Sequence, residues 1–91
     1  MRRLIVTADD LGADAGRNAG IFRAIASGSV TSVSLLANGP ALEEALREMR
    51  SLAPGRVSAG IHFNLSEGKP LVSGHRCLVD PAGLFPGKAA A

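Results

Sequence analysis

The sequence predicts an α/β fold whose elements run β-α-β-α-β, with parallel strands. Three observations predict it. Short apolar, β-branched runs alternate with segments of helical periodicity. Start and stop signals bound each helical segment. Strands that alternate with helices imply parallel pairing through helical crossovers. Two architectures use this order, an open doubly wound sheet and a β/α barrel. Three strands complete neither, and a barrel typically takes about 250 residues. The 91 residues are therefore expected to form part of one domain.

Leu4-Ile5-Val6, flanked by Thr7 and Ala8, reads as a buried first strand, apolar on both faces. Asp9-Asp10-Leu11-Gly12 is expected to break it. A helix should follow from about Asp14 to Ser27, with Asp14 as N-cap. Its apolar face carries Ile21, Phe22 and Ile25, and Gly28 ends it. The second strand spans Val30 to Ala37. Asn38-Gly39-Pro40 opens the second helix, Pro40 suiting its first position. Leu42, Ala45, Leu46, Met49 and Leu52 form that helix's stripe, and Pro54-Gly55 stops it. Glu43 and Arg47 stand four apart in the favourable order, worth at most a few tenths of a kcal/mol. Val57 to Leu65 reads as the third strand, followed by a loop punctuated with Gly and Pro. Lys88-Ala89-Ala90-Ala91 carries no motif.

Apolar residues make up 46% and charged residues 20%, a balance typical of a globular domain rather than a disordered chain. The net charge is +2, the basic residues are scattered and aromatics make up 3%. Nucleic-acid surfaces want a basic stripe, often with stacking aromatics, so no nucleic-acid partner is expected. Cys77 is the only cysteine, which excludes an intrachain disulfide and a Cys-rich zinc site. The apolar run after Arg2-Arg3 is too short for a signal peptide, and no stretch is long enough for a membrane span. A cytoplasmic location fits.

In parallel β/α folds the site lies at the C-terminal ends of the strands. The first strand delivers Asp9 and Asp10 there, the second Asn38, and the third His62 and Asn64, with Glu67 in the next loop. Two adjacent carboxylates and a histidine are what a divalent metal with a hydrolytic water needs. Neighbouring side chains on an extended segment point in different directions. One acid can therefore bind the metal while the other serves the water as general base. Plainer readings stay open. Asp-Asp-x-Gly also suits a turn and helix entry. A lone histidine in an apolar strand also suits a hydrogen-bonded core position. Asn38 is read first as a cap of the second helix, His75 as an exposed loop residue and Cys77 as a small apolar filler. Spacing alone supports a metal hydrolase only as one reading among these.

Four blocks in register add to this. Leu4-Ile5-Val6-Thr7-Ala8-Asp9-Asp10-Leu11-Gly12 resembles the opening of the YdjC-like carbohydrate deacetylases. Val30-Thr31-Ser32-Val33-Ser34-Leu35-Leu36-Ala37-Asn38-Gly39-Pro40-Ala41 resembles their next block. Gly60-Ile61-His62-Phe63-Asn64-Leu65-Ser66-Glu67-Gly68-Lys69-Pro70-Leu71 is similar to the third, and Leu78-Val79-Asp80-Pro81-Ala82-Gly83-Leu84-Phe85 to the loop after it.

The resemblance implies a β/α-barrel-like fold of which residues 1–91 are the N-terminal part. It implies removal of N-acetyl groups from amino sugars such as chitooligosaccharides or a hopanoid head-group sugar. It implies a magnesium or zinc ion held by an aspartate and two histidines. Asp10 matches the aspartate ligand, His62 the first histidine and Asp9 the acid that acts as base. Leu11 stands where many members have Phe. The second histidine lies further along in the family, and His75 is too early to replace it. The short chain is therefore expected to lack a full site, with an open sheet edge that invites aggregation or a homo-oligomer. Two rivals remain: a non-catalytic remnant or interaction module of the same fold, and a phosphate-binding domain. The paired carboxylates of the first loop oppose the latter.

Overall fold

A computed structural model describes residues 2–87; Met1 and Lys88–Ala91, the last four with no predicted role, lie outside the described residues. The elements are β1 (Thr7–Leu11), α1 (Ala15–Ala26), β2 (Ser32–Leu35), α2 (Leu42–Ser51) and β3 (Ser58–Ile61). The three strands pair in parallel in the order β1-β2-β3, so the expected β-α-β-α-β segment is what forms. Among the described residues no helix is long and apolar enough to cross a membrane.

The helix signals act as their chemistry suggests. Asp14 caps α1: its Oδ1 accepts from the Arg17 backbone N–H at 2.7 Å. At the other end Gly28 takes φ +83°, its N–H donates to Ile25 O, and the Ser29 N–H donates to Ala24 O. These are the two bonds of a Schellman motif, which satisfy carbonyls the helix leaves free.

The core is small. Leu11, Ile25, Val30, Val33 and Ala45 are buried together, with Ala8, Ile21, Phe22, Met49 and Leu52 packed around them. Burying a Leu, Ile or Val side chain stabilises by roughly 1.5–3 kcal/mol. The centre thus rests on β1 and β2 under the two helices. β1 and β3 are the two sheet edges, and the four residues of β3 are all exposed.

Both later strands are shorter than expected, Ser32–Leu35 against Val30 to Ala37 and Ser58–Ile61 against Val57 to Leu65, and three further boundaries differ from the sequence reading. First, β1 is not Leu4–Ala8. Leu4 and Ile5 are 80% and 78% exposed, and pairing begins only where Thr31 and Ser32 donate to Val6 O. β-branched character favours a strand, but a strand needs a neighbour, and none flanks Leu4 and Ile5 among the described residues. Second, Asp9 and Asp10 do not break β1; the strand runs through them to Leu11. Third, α2 starts at Leu42, two residues after Pro40. A Gly39–Leu42 turn precedes it, and the Ala41 N–H is engaged by Gly12 O. There the β1–α1 and β2–α2 loops touch. A Cβ on Gly39 would collide with the Gly12 carbonyl, so the position demands glycine.

Candidate active site

Asp10 owes its place to an irregularity in β1. Ala8 pairs with Val33 and Leu11 with Leu35, so three steps on β1 match two on β2. This is a bulge of one residue. Asp10 is the described non-glycine residue with positive φ, +67°. That region costs an L-residue of order 1–3 kcal/mol unless its surroundings hold it, although aspartate tolerates it better than most. The surroundings do hold it. Ala13 N–H donates to Asp10 O, Leu36 N–H to Leu11 O, and Gly12 N–H to the Asn18 side chain at 2.7 Å. Strict alternation would turn residue 10 towards the core and Leu11 away from it. The extra residue restores Leu11 to the core and directs Asp10 to the strand end.

There Asp10 meets His62. β3 ends at Ile61, and the His62 N–H still donates to Leu35 O, continuing the ladder by one bond. His62 Nε2 lies 3.3 Å from Asp10 Oδ1, with the side chains 34% and 41% exposed. The other ring nitrogen, Nδ1, is 3.0 Å from Phe63 O. With its proton on Nδ1, the imidazole donates to that carbonyl and turns the Nε2 lone pair towards the carboxylate. A lone pair facing a carboxylate at this distance wants a cation between or beside them. Ligand bonds of about 2.0–2.2 Å, at angles of about 90–110°, separate two ligands of one ion by roughly 3–3.5 Å. The donor pair fits a divalent metal on both distance and chemistry. Among the described residues no group of three His, Cys, Asp or Glu gathers.

Asp10 Oδ2 faces Arg17 Nη1 at 3.4 Å, and Arg17 Nε also reaches Asp14 at 3.5 Å. Exposed pairs of this kind are worth about 0–1 kcal/mol. Arg17, Phe63 and Glu67 line the same open cavity of about 260 Å³ as Asp10 and His62. Phe63 is 80% exposed there. Asp9 is absent from that lining. Its Oδ1 instead accepts from Ser34 Oγ at 2.7 Å, on the neighbouring strand.

Asn38 does not cap α2. Its amide donates to Glu67 O and Lys69 O, at 3.0 and 3.1 Å. Asn64 Nδ2 donates to Asn38 Oδ1, and Asn64 Oδ1 accepts from the Ser66 and Glu67 N–H groups. The two asparagines thus clamp the loop that carries Glu67 over the strand ends. His75 is half-buried rather than exposed and lines a different cavity. Cys77 is exposed rather than a buried filler.

Sequence reasoning missed Asn18. It is 3% exposed, accepts from Gly12 N–H and donates to Ala41 O and Glu44 Oε1. One side chain ties the loop after Asp10 to the start of α2. A signal existed: Asn18 stands three and seven residues before Ile21 and Ile25, on the apolar face of α1.

Residues 3–91 match the YdjC-like protein family. The chain belongs to the YdjC-like family. A carbohydrate deacetylase of Homo sapiens is 46% identical over 89 residues, covering 94% of this chain and 27% of its own length. A chitooligosaccharide deacetylase of Escherichia fergusonii is 49% identical over 70 residues, covering 77% of this chain and 27% of its own. This YdjC-like chain therefore spans about a quarter of the length of the curated relatives it matches. A crystal structure from Enterococcus faecalis V583, of a protein named for cellobiose-phosphate cleavage, superposes with a TM-score of 0.81 at 32% identity. It covers 94% of this chain and 34% of the other. The parallel β-α-β-α-β arrangement is thus the YdjC-like fold over this part of its length.

Proposed function

We propose that this chain is the N-terminal part of a single YdjC-like deacetylase domain. In this reading the complete domain is a metal-dependent hydrolase that removes N-acetyl groups from amino sugars of the chitooligosaccharide or hopanoid head-group type. The observation that carries the reading is the convergence of Asp10 Oδ1 and His62 Nε2, 3.3 Å apart at two strand ends. Support comes from relatives named carbohydrate deacetylase and chitooligosaccharide deacetylase.

Asp10 and His62 would hold magnesium or zinc. A divalent ion bound there supplies Lewis acidity, which polarises an amide carbonyl and acidifies water. The chain's own residues do the rest. The Phe63 carbonyl fixes the His62 ring, so that Nε2 stays directed at Asp10. Asp9, exposed and next to Asp10 in the chain, takes the proton of the attacking water. Zinc sites in hydrolases normally use three protein ligands and a water. Residues 1–91 by themselves therefore leave the site short of a ligand and slow or silent in turnover. A cytoplasmic location belongs to the same reading.

The open β3 edge favours a second reading, an interaction module of the same fold that pairs with another copy or partner through that edge. One experiment separates the two. The complete domain is assayed for acetate release from an N-acetylated chitooligosaccharide with magnesium or zinc, beside two variants. Asp9→Asn should lower kcat about 10²–10⁴-fold with metal still bound. His62→Ala should weaken metal binding sharply by calorimetry. Absence of acetate release from the intact domain favours the interaction module. Loss of metal on Asp9→Asn moves Asp9 into the coordination shell.

A further inference from the structure

We infer that Ser34 is a positioning residue for Asp9, holding one carboxylate oxygen so that the other is presented to the attacking water. The inference rests on the reading of Asp9 as the base.

The strand register sets up the contact. Ala8 pairs with Val33, and Val33 is buried under the helices. The next residue on each strand, Asp9 and Ser34, therefore stands on the opposite face of the sheet. Ser34 Oγ lies 2.7 Å from Asp9 Oδ1. A carboxylate only accepts, so the hydroxyl donates, and hydrogen bonds from a hydroxyl to a carboxylate are short and strong. Among the described residues this is the hydrogen bond that the Asp9 carboxylate makes. Oδ2 is left with its lone pairs unshared, and Asp9 as a whole is exposed.

The row continues to Gly60, the β3 partner of Ser34. Nothing lies within 4 Å of where a Gly60 Cβ would stand. Among the described residues the face beside Gly60 is uncovered. The bulge lies between Ala8 and Leu11, and the two acids part within it. Asp10 goes to His62, while Asp9 stays hydrogen-bonded to Ser34. Without the serine, no hydrogen bond among the described residues would select one orientation of the Asp9 carboxylate. A structural role alone would not need the hydroxyl, since the position is half-buried and an alanine would fill it.

The test compares Ser34→Ala, Ser34→Thr and Asp9→Asn in the complete domain, reading kcat, KM and metal affinity. Hydrogen-bond partners that orient metal ligands contribute about 10–100-fold, and a partner that orients the base is expected to act on the same scale. Ser34→Ala should lower kcat by about that factor and leave KM and metal affinity in place. Ser34→Thr, which keeps the hydroxyl, should restore kcat. The double variant Asp9→Asn/Ser34→Ala should be no slower than Asp9→Asn alone. Full kcat in Ser34→Ala, equal losses in Ala and Thr, or additive losses in the double variant would overturn the role of Ser34 while leaving Asp9 as base. Full kcat in Asp9→Asn would remove the base itself, and the positioning role with it.

Discussion

The two residues that meet at the strand ends come from opposite kinds of surroundings. Asp10 is anchored beside Leu11, which is 0% exposed, and its loop is tied down by buried Asn18. His62 follows a strand whose every residue is exposed, and Phe63 beside it is 80% exposed. Asp10 is set by a packed core, whereas His62 is set by a ladder bond to Leu35 at the end of an exposed strand. The difference teaches that the β1 side is held by its own packing, whereas the β3 side is held mainly by its pairing with β2.

Substitutions can break or sharpen that contrast. The largest effect is expected at Leu11. Leu11→Ala should destabilise by about 2–5 kcal/mol in denaturant unfolding, because it leaves a cavity under both helices. Ile61→Ala, on the exposed edge, should stay within about 0.5 kcal/mol. Similar losses at the two sites would erase the distinction. Asn18→Ala comes next, at about 1–3 kcal/mol, since it strands the Gly12 N–H and the Ala41 carbonyl. The same variant should loosen the Asp10 loop in hydrogen exchange, with β3 unaffected. A small net effect on stability is also expected for Asp10→Gly. Removing the strained φ of +67° offsets the lost contacts to Arg17 and His62, so stability should stay within about 1 kcal/mol of the parent. Metal binding should nonetheless vanish. A large destabilisation would mean that Asp10 serves the fold first.

Much of this was legible in the residues. The element order followed from alternating patterns, and Asp14 and Gly28 marked the ends of α1 because capping and left-handed turns are local chemistry. What escaped was set by distant partners. Leu4-Ile5 reads as a strand, but pairing is decided by where β2 begins. Asn38 reads as a helix cap, but its partners lie 29 and 31 residues away. Ser34 reads as one more strand residue until its neighbour across the sheet is known. The meeting of Asp10 and His62 was expected from two strand ends, but the bulge was not, because one extra residue leaves no trace in a five-residue strand.

That bulge has a consequence for how the segment could change. Between Ala8 and Leu11 the strand carries one residue more than its ladder requires. With Asp10 deleted, Ala8-Asp9-Leu11 would match Val33-Ser34-Leu35 residue for residue with Leu11 still inward, at the loss of the bond from Ala13 N–H to Asp10 O. The pairing would be more regular for the loss. Asp10 is then a guest in β1, a residue the sheet could shed and keep its shape, so its retention would have to be enforced by chemistry at the strand end rather than by folding.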